Sequence, residues 1–173
     1  MGRFLRVPRL ACLTVLVVLV AAGCGSGAKV ATTTNAQGKT ELACSGKVHF
    51  AKTKFVLHAG LAFGAFHRYI LKPYRTGAFA KGAPGRTKAL VKAGASALFA
   101  YHELKVARTD AVCDGPRLRK LADSLSSALA SLNALRALKA GTGLGAIGIA
   151  GQALDRLGGD AASGGAPIKD INH

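Results

Sequence analysis

The sequence is poor in aromatic residues and in acids. It has no Trp, three Tyr and seven Phe, and its eight acidic residues face 24 Lys and Arg, a formal charge of +16. Because aromatic side chains are scarce, Leu and Ala must supply most of the core, and this composition favours helices packed closely through small residues. The few acids are dispersed along the chain, which argues against a hydrolytic site built from two facing carboxylates.

Motifs for familiar chemistry are largely missing. There is no GxSxG and no CxxC, and the five His residues lack the spacing of a zinc site. A GxGxxG string occurs at 143–148, but a leucine-rich predicted helix precedes it, whereas the dinucleotide fingerprint needs a strand there. We therefore predict no enzyme, no catalytic residue, no metal and no cofactor. The alternative is a metal or haem site between helices, for instance His58 with His102.

The N-terminus has the layout of a secretory signal. Arginines within residues 1–9 precede an apolar run at Leu10–Val20, which is too short to span a bilayer. The small residues that follow end at Cys24, and this pattern resembles the lipobox of bacterial lipoprotein precursors. No later apolar run approaches 18 residues, so we predict no second span.

The lipobox resemblance implies that residues 1–23 are removed and that Cys24 carries a diacylglyceryl group. Such a chain is anchored by its lipid at the extracytoplasmic face of the cell membrane. The alternative is ordinary secretion after cleavage, without a lipid.

Two cysteines remain in the mature chain. Cys44 and Cys113 would lie in an oxidising compartment, where a leftover pair predicts a disulfide. A pair of free thiols is the alternative.

The mature chain is predicted to have three parts. Residues 24–43 are rich in Gly, Ser and Thr and predict a flexible linker behind the lipidated cysteine. Residues 44–158 should form the folded domain, and the glycine-rich tail 159–173 should be mobile.

Apolar periodicity predicts an all-α domain, a small up-down bundle of three to four helices. The predicted helices cover 47–72, ending at Pro73, then 87–109, a third beginning at Pro116 and ending at Gly141, and 144–157. A turn is expected at 110–115. The clearest pattern belongs to the third helix, and its members are Leu118, Leu121, Leu125, Ala128, Leu132 and Leu135. A Cys44–Cys113 bridge would place the starts of the first and third helices at the same end, as an up-down-up order requires.

The first helix is apolar on nearly every side and contains Gly60 and Gly64 at small-xxx-small spacing. This spacing predicts close approach by a neighbouring helix in the core. Self-association and contact with membrane lipid are the alternatives.

Charge is distributed unevenly along the mature chain. No acidic residue occurs between Leu42 and His102, and basic residues cluster around the expected loop between the first two helices. A field of one sign attracts polyanions. The predicted anion-binding surface consists of Lys72, Arg75, Lys81, Arg86, Lys88 and Lys92.

These observations predict a non-enzymatic, membrane-anchored interaction module. Its expected partners are anionic membrane lipids or envelope polymers, with a protein partner or self-association as further options. Nucleic acid fits the charge, but no nucleic-acid-binding motif is visible. The alternative without any partner is a basic surface that is simply exposed to solvent. The runner-up function is a carrier that encloses a small apolar ligand, such as a lipid, within the bundle.

Overall fold

The computed structural model describes residues 29–34, 40–45 and 48–170, and it shows an all-α bundle preceded by one β-hairpin. The predicted leader and Cys24 lie outside the described residues. The strands are β1 (Lys29–Thr34) and β2 (Thr40–Ser45). The helices are α1 (Ala51–Phe66), a π-helical segment (His67–Leu71), α2 (Lys72–Arg75), α3 (Arg86–Asp114), α4 (Pro116–Arg119), α5 (Ala122–Ala134), a 3-10 segment (Leu135–Ala140) and α6 (Ala146–Ser163).

The main interface of the bundle joins α1 to α3. These helices run antiparallel, because His58 of α1 pairs with Glu103 of α3 while residues near 69 lie beside residues near 92. Helix α5 packs between α3 and α6. The core between them is filled by large side chains that are fully buried, including Phe55, Phe66, Ile70, Leu104, Leu125 and Leu154.

The leucine pattern of the third predicted helix is confirmed as a core face. Every member of the series from Leu118 to Leu135 is buried. The helix itself is divided, however, into α4, α5 and the 3-10 segment. At the break the Leu121 amide donates to the Leu118 carbonyl, three residues back, so the chain tightens without losing its apolar stripe.

The second predicted helix is longer in the structure. Helix α3 continues through the expected turn at 110–115 and ends at Asp114. The continuation buries Ala111 and Val112, which a turn would have left in water. Gly115 ends the helix with a φ of 127°, a value that favours glycine.

The prediction of a flexible linker at 24–43 is corrected over its described part. Strands β1 and β2 pair antiparallel, with Lys29 opposite Ser45 and Thr34 opposite Thr40. The threonine-rich run suits an extended strand, since β-branched residues favour that conformation. The predicted bridge is present: Cys44 and Cys113 are bonded at 1.94 Å and join β2 to the end of α3.

The predicted mobile tail at 159–173 is also corrected over its described part. Helix α6 extends to Ser163 despite its glycines, because Leu157 and Ala161 are buried in the bundle. Beyond the helix, Ala166 is buried and Asp170 contacts His67. Packing therefore holds a segment whose composition alone favours disorder.

Candidate functional site

The first long helix is interrupted beside Arg68, Lys72 and Arg75. The chain passes from α1 through the π-helical segment into α2, so Pro73 lies inside the helical run and does not end it. Proline has no amide hydrogen to donate, and the wider π turn lets the helix continue past it. As a result, Arg68, Lys72 and Arg75 project from one end of the bundle.

A groove opens between this segment and the start of α3. It has a volume of about 470 Å³, and we call it the basic groove. Its walls are formed by Arg68, Tyr69, Lys72, Pro73, Thr76, Ala78, Gly85, Lys88, Ala89 and Lys92. Lys72, Lys88 and Lys92 are exposed, and they come from helices that are separate in the sequence.

The basic groove combines cations with an apolar floor. Tyr69, Pro73, Ala78 and Ala89 supply the apolar surface. The Arg68 guanidinium lies 5.6 Å from the centre of the Tyr69 ring, within range of a cation–π interaction. None of the described residues that line the groove is acidic. Its charge is therefore available to an external anion.

The predicted anion-binding surface divides into separate places. Lys72, Lys88 and Lys92 share the basic groove, whereas Arg75 lines the neighbouring cleft and Lys81 lies exposed in the loop between them. Arg68 belongs to the groove and is missing from the prediction. Its signal was the sequence spacing, since Arg68 and Lys72 are one helical turn apart.

Arg86 has a structural contact that distinguishes it from the other predicted cations. It is partly buried, and its Nε donates to the backbone oxygen of Phe79 at 3.0 Å. A Cβ added at Gly141 would meet the Arg86 guanidinium at 3.0 Å, so the side chain also fills the space above the end of the 3-10 segment. Arg86 therefore fixes the loop beside the groove.

The cleft beside the basic groove carries mixed charge. Its volume is about 860 Å³, and its walls include Lys72 and Arg75 together with Asp155 and Asp170. The His67 Nδ1 donates to Asp170 Oδ2 at 2.6 Å. The two carboxylates offset the positive charge of the cations in this cleft. An anion should therefore be attracted less strongly to the cleft than to the basic groove.

A second group of ionisable residues lies towards the other end of the α1–α3 interface. The His58 Nδ1 donates to Glu103 Oε2 at 2.6 Å, and His102 is exposed, so His58 has Glu103 as its partner and not His102. Within the described residues, no group of three or more His, Cys, Asp or Glu is placed to hold a metal ion.

Asp110 is the least expected member of this group. Acidic side chains are usually exposed, but Glu103 and Asp110 are both buried, and Asp110 is fully so. Within the part of the chain that the structure describes, neither carboxylate oxygen of Asp110 has a hydrogen-bond partner. Burial raises the pKa of Asp110, and the positive charges of His58 and Lys54 oppose that rise only in part.

Gly60 and Gly64 are both buried on α1. Gly64 also lines the mixed-charge cleft. Their burial favours the core-packing interpretation of the small-xxx-small spacing over contact with lipid.

Comparisons with models of known protein families, with curated protein sequences and with solved structures found no match. The interpretation of the site therefore depends on its own geometry and charge.

Proposed function

We propose that this chain is a membrane-anchored extracytoplasmic lipoprotein whose helical domain docks, without catalysis, on anionic membrane or cell-envelope surfaces. One observation carries the proposal. The basic groove gathers Arg68, Lys72, Lys88 and Lys92 around an apolar floor, with no acid among the described residues that line it.

The strength of such docking follows from general magnitudes. A Lys or Arg at an anionic membrane surface contributes about 1 kcal/mol, so the groove cations together would contribute about 4 kcal/mol. That corresponds to roughly a thousandfold preference for an anionic over a neutral surface. The attraction falls off within a Debye length and should weaken as salt is raised.

The predicted lipid on Cys24 fits this mode of action. Among the described residues, no helix is long and apolar enough to cross a bilayer. A lipid anchor would keep the domain at high local concentration beside the surface, so modest affinity in the groove would be sufficient to hold it there.

The competing carrier hypothesis places a ligand inside the bundle. The structure offers it little support, because the central positions are filled by fully buried side chains such as Phe55, Phe66 and Leu104. The cavities described above lie at the surface and have charged rims. They favour docking.

The proposal is tested by vesicle flotation of the mature chain, residues 24–173, with Cys24→Ser, which lacks both the apolar leader and the predicted lipid. The test variant replaces Arg68, Lys72, Lys88 and Lys92 by Gln. The control variant replaces the same kinds of residue, Lys52, Lys105, Arg119 and Lys120, which are also exposed and lie away from the groove.

We expect the parent and the control to bind vesicles containing phosphatidylglycerol and to release them at high salt. The test variant should lose at least tenfold in affinity. Equal loss in both variants would show that only net charge matters, and it would refute docking through the groove.

A further inference from the structure

The basic groove continues along the α1–α3 interface into an apolar groove. The apolar part has a volume of about 370 Å³ and is lined by Leu61, Ala65, Tyr69, Ala95, Ser96 and Phe99. Tyr69 lines both parts and joins them. None of the described residues that line the apolar part is charged.

Helical spacing aligns the cations of the basic groove with the apolar part along one side of the bundle. Lys88, Lys92, Ser96 and Phe99 follow one another at intervals of three and four residues, which places them on one face of α3. Because a helix rises 1.5 Å per residue, Lys88 and Phe99 lie about 17 Å apart along the axis. The antiparallel α1 supplies the matching order, from Arg68 and Tyr69 to Leu61.

The apolar part is open to solvent. Phe99 is 44% exposed and Tyr69 is 37% exposed, so both rings are accessible to a ligand. An exposed apolar groove that begins at a cluster of cations suits an amphiphilic ligand, which has an anionic headgroup and an apolar chain.

We propose that the joined groove binds one acyl chain of an anionic phospholipid, with the phosphate among the groove cations and the chain along Tyr69, Leu61 and Phe99. This inference rests on the proposed function for its headgroup half and adds a defined, single-lipid site to it. Charge complementarity selects the anionic headgroup, and the uncharged lining of the second part selects the chain.

The probe is dodecyl phosphate, kept below its micelle concentration and titrated calorimetrically into the mature chain, residues 24–173, with Cys24→Ser. We expect saturable binding of one molecule per chain. Affinity should rise about fourfold for each methylene from octyl to dodecyl phosphate, as apolar burial predicts. Dodecyl maltoside, which has the same chain and no charge, should bind at least tenfold more weakly.

A variant that fills the apolar part separates the two proposals. Ala95→Phe adds bulk to that part, and Ala130→Phe adds the same bulk at an exposed position on α5. We expect Ala95→Phe to weaken dodecyl phosphate binding at least tenfold and to leave vesicle flotation within twofold of the parent. Ala130→Phe should change neither.

The outcomes distinguish the site from the docking surface. If Ala95→Phe leaves dodecyl phosphate affinity unchanged, or if octyl and dodecyl phosphate bind equally, the single-lipid site is refuted while docking on vesicles still stands. If the parent does not float with anionic vesicles yet binds dodecyl phosphate in the way described, the single-lipid site stands and surface docking fails.

Discussion

At the scale of single residues, the most consequential feature is the buried carboxyl of Asp110. Its oxygens lack hydrogen-bond partners among the described residues, and a buried polar group left in this state costs about 1 to 3 kcal/mol. The opposing positive charges of Lys54 and His58 reduce the rise in its pKa without removing it. The buried carboxyl group of Asp110 therefore lowers the stability of the interface between α1 and α3.

The stability of the fold should therefore depend on pH through Asp110. The pKa of Asp110 in the folded protein lies above its ordinary value of 3.8, so the unfolded chain releases this proton at lower pH than the folded chain does. Stability should then fall as pH rises from about 3.8 to the raised pKa. Asp110→Asn should be more stable than the parent at pH 7, by on the order of 1 kcal/mol, and this advantage should vanish below pH 4.

Thermal unfolding followed by circular dichroism over pH 3 to 8 measures this effect. Asp114→Asn is the control, since Asp114 is exposed on the same helix. An Asn variant at 110 whose stability stays below the parent's at pH 7 would contradict the account.

Residue pairings were the part of the site that the sequence could not predict. His58 and Glu103 are 45 positions apart, and His67 and Asp170 are 103 apart. No local pattern joins such residues, because their contact depends on how the helices cross. For the same reason the sequence could not distinguish the roles of Arg86 and Lys88. Arg86 donates a hydrogen bond to Phe79 in the loop, whereas Lys88 lines the basic groove.

At the scale of elements, periodicity predicted which faces are buried better than it predicted where helices end. The leucine stripe from Leu118 to Leu135 is buried throughout, although the backbone beneath it changes from α-helix to turn to 3-10 helix. Pro73 and the glycines of α6 were interpreted as breaks or weak points. A π turn accommodates the former, and burial of Leu157 and Ala161 outweighs the latter.

The β-hairpin was missed because its short strands carry little apolar alternation. Its link to the bundle, the Cys44–Cys113 bridge, was predicted, since it depends on cysteine number and compartment and not on periodicity. Local composition favours a linker at 24–43, whereas the Cys44–Cys113 disulfide holds β2 against α3.

Removing the bridge should destabilise the fold as a whole. The bonded cysteines are 69 positions apart, and the chain-entropy model gives about 4 kcal/mol for a loop of this size. We expect the double variant Cys44→Ser, Cys113→Ser to unfold at clearly lower denaturant concentration than the oxidised parent. Reducing agent should shift the parent towards the variant and leave the variant unchanged. A parent that is indifferent to reduction would argue against the bridge as a stabilising link.

At the scale of the whole molecule, charged residues are distributed unevenly between the two ends of the bundle. The loop at 76–85 and the helix ends beside it carry cations with no acid near them in the sequence, which contains none between Leu42 and His102. In space, Asp155 and Asp170 share a cleft with Arg75. The opposite end has Arg117, Arg119 and Lys120, with Asp114 and Asp123 close to them in sequence. Charge patterning predicted this basic end. It could not predict the apolar extension of the groove, which exists only because α1 and α3 lie side by side.

The central claim is that the basic end is the surface that meets the membrane. Hydrogen–deuterium exchange of the mature chain, residues 24–173, with Cys24→Ser, measured with and without phosphatidylglycerol vesicles, tests this surface. We predict slower exchange in the loop at 76–85 and no change in the turn at 114–121, at the opposite end of the bundle. Protection of the turn at 114–121 with none at 76–85, or equal protection of both ends, would contradict the account.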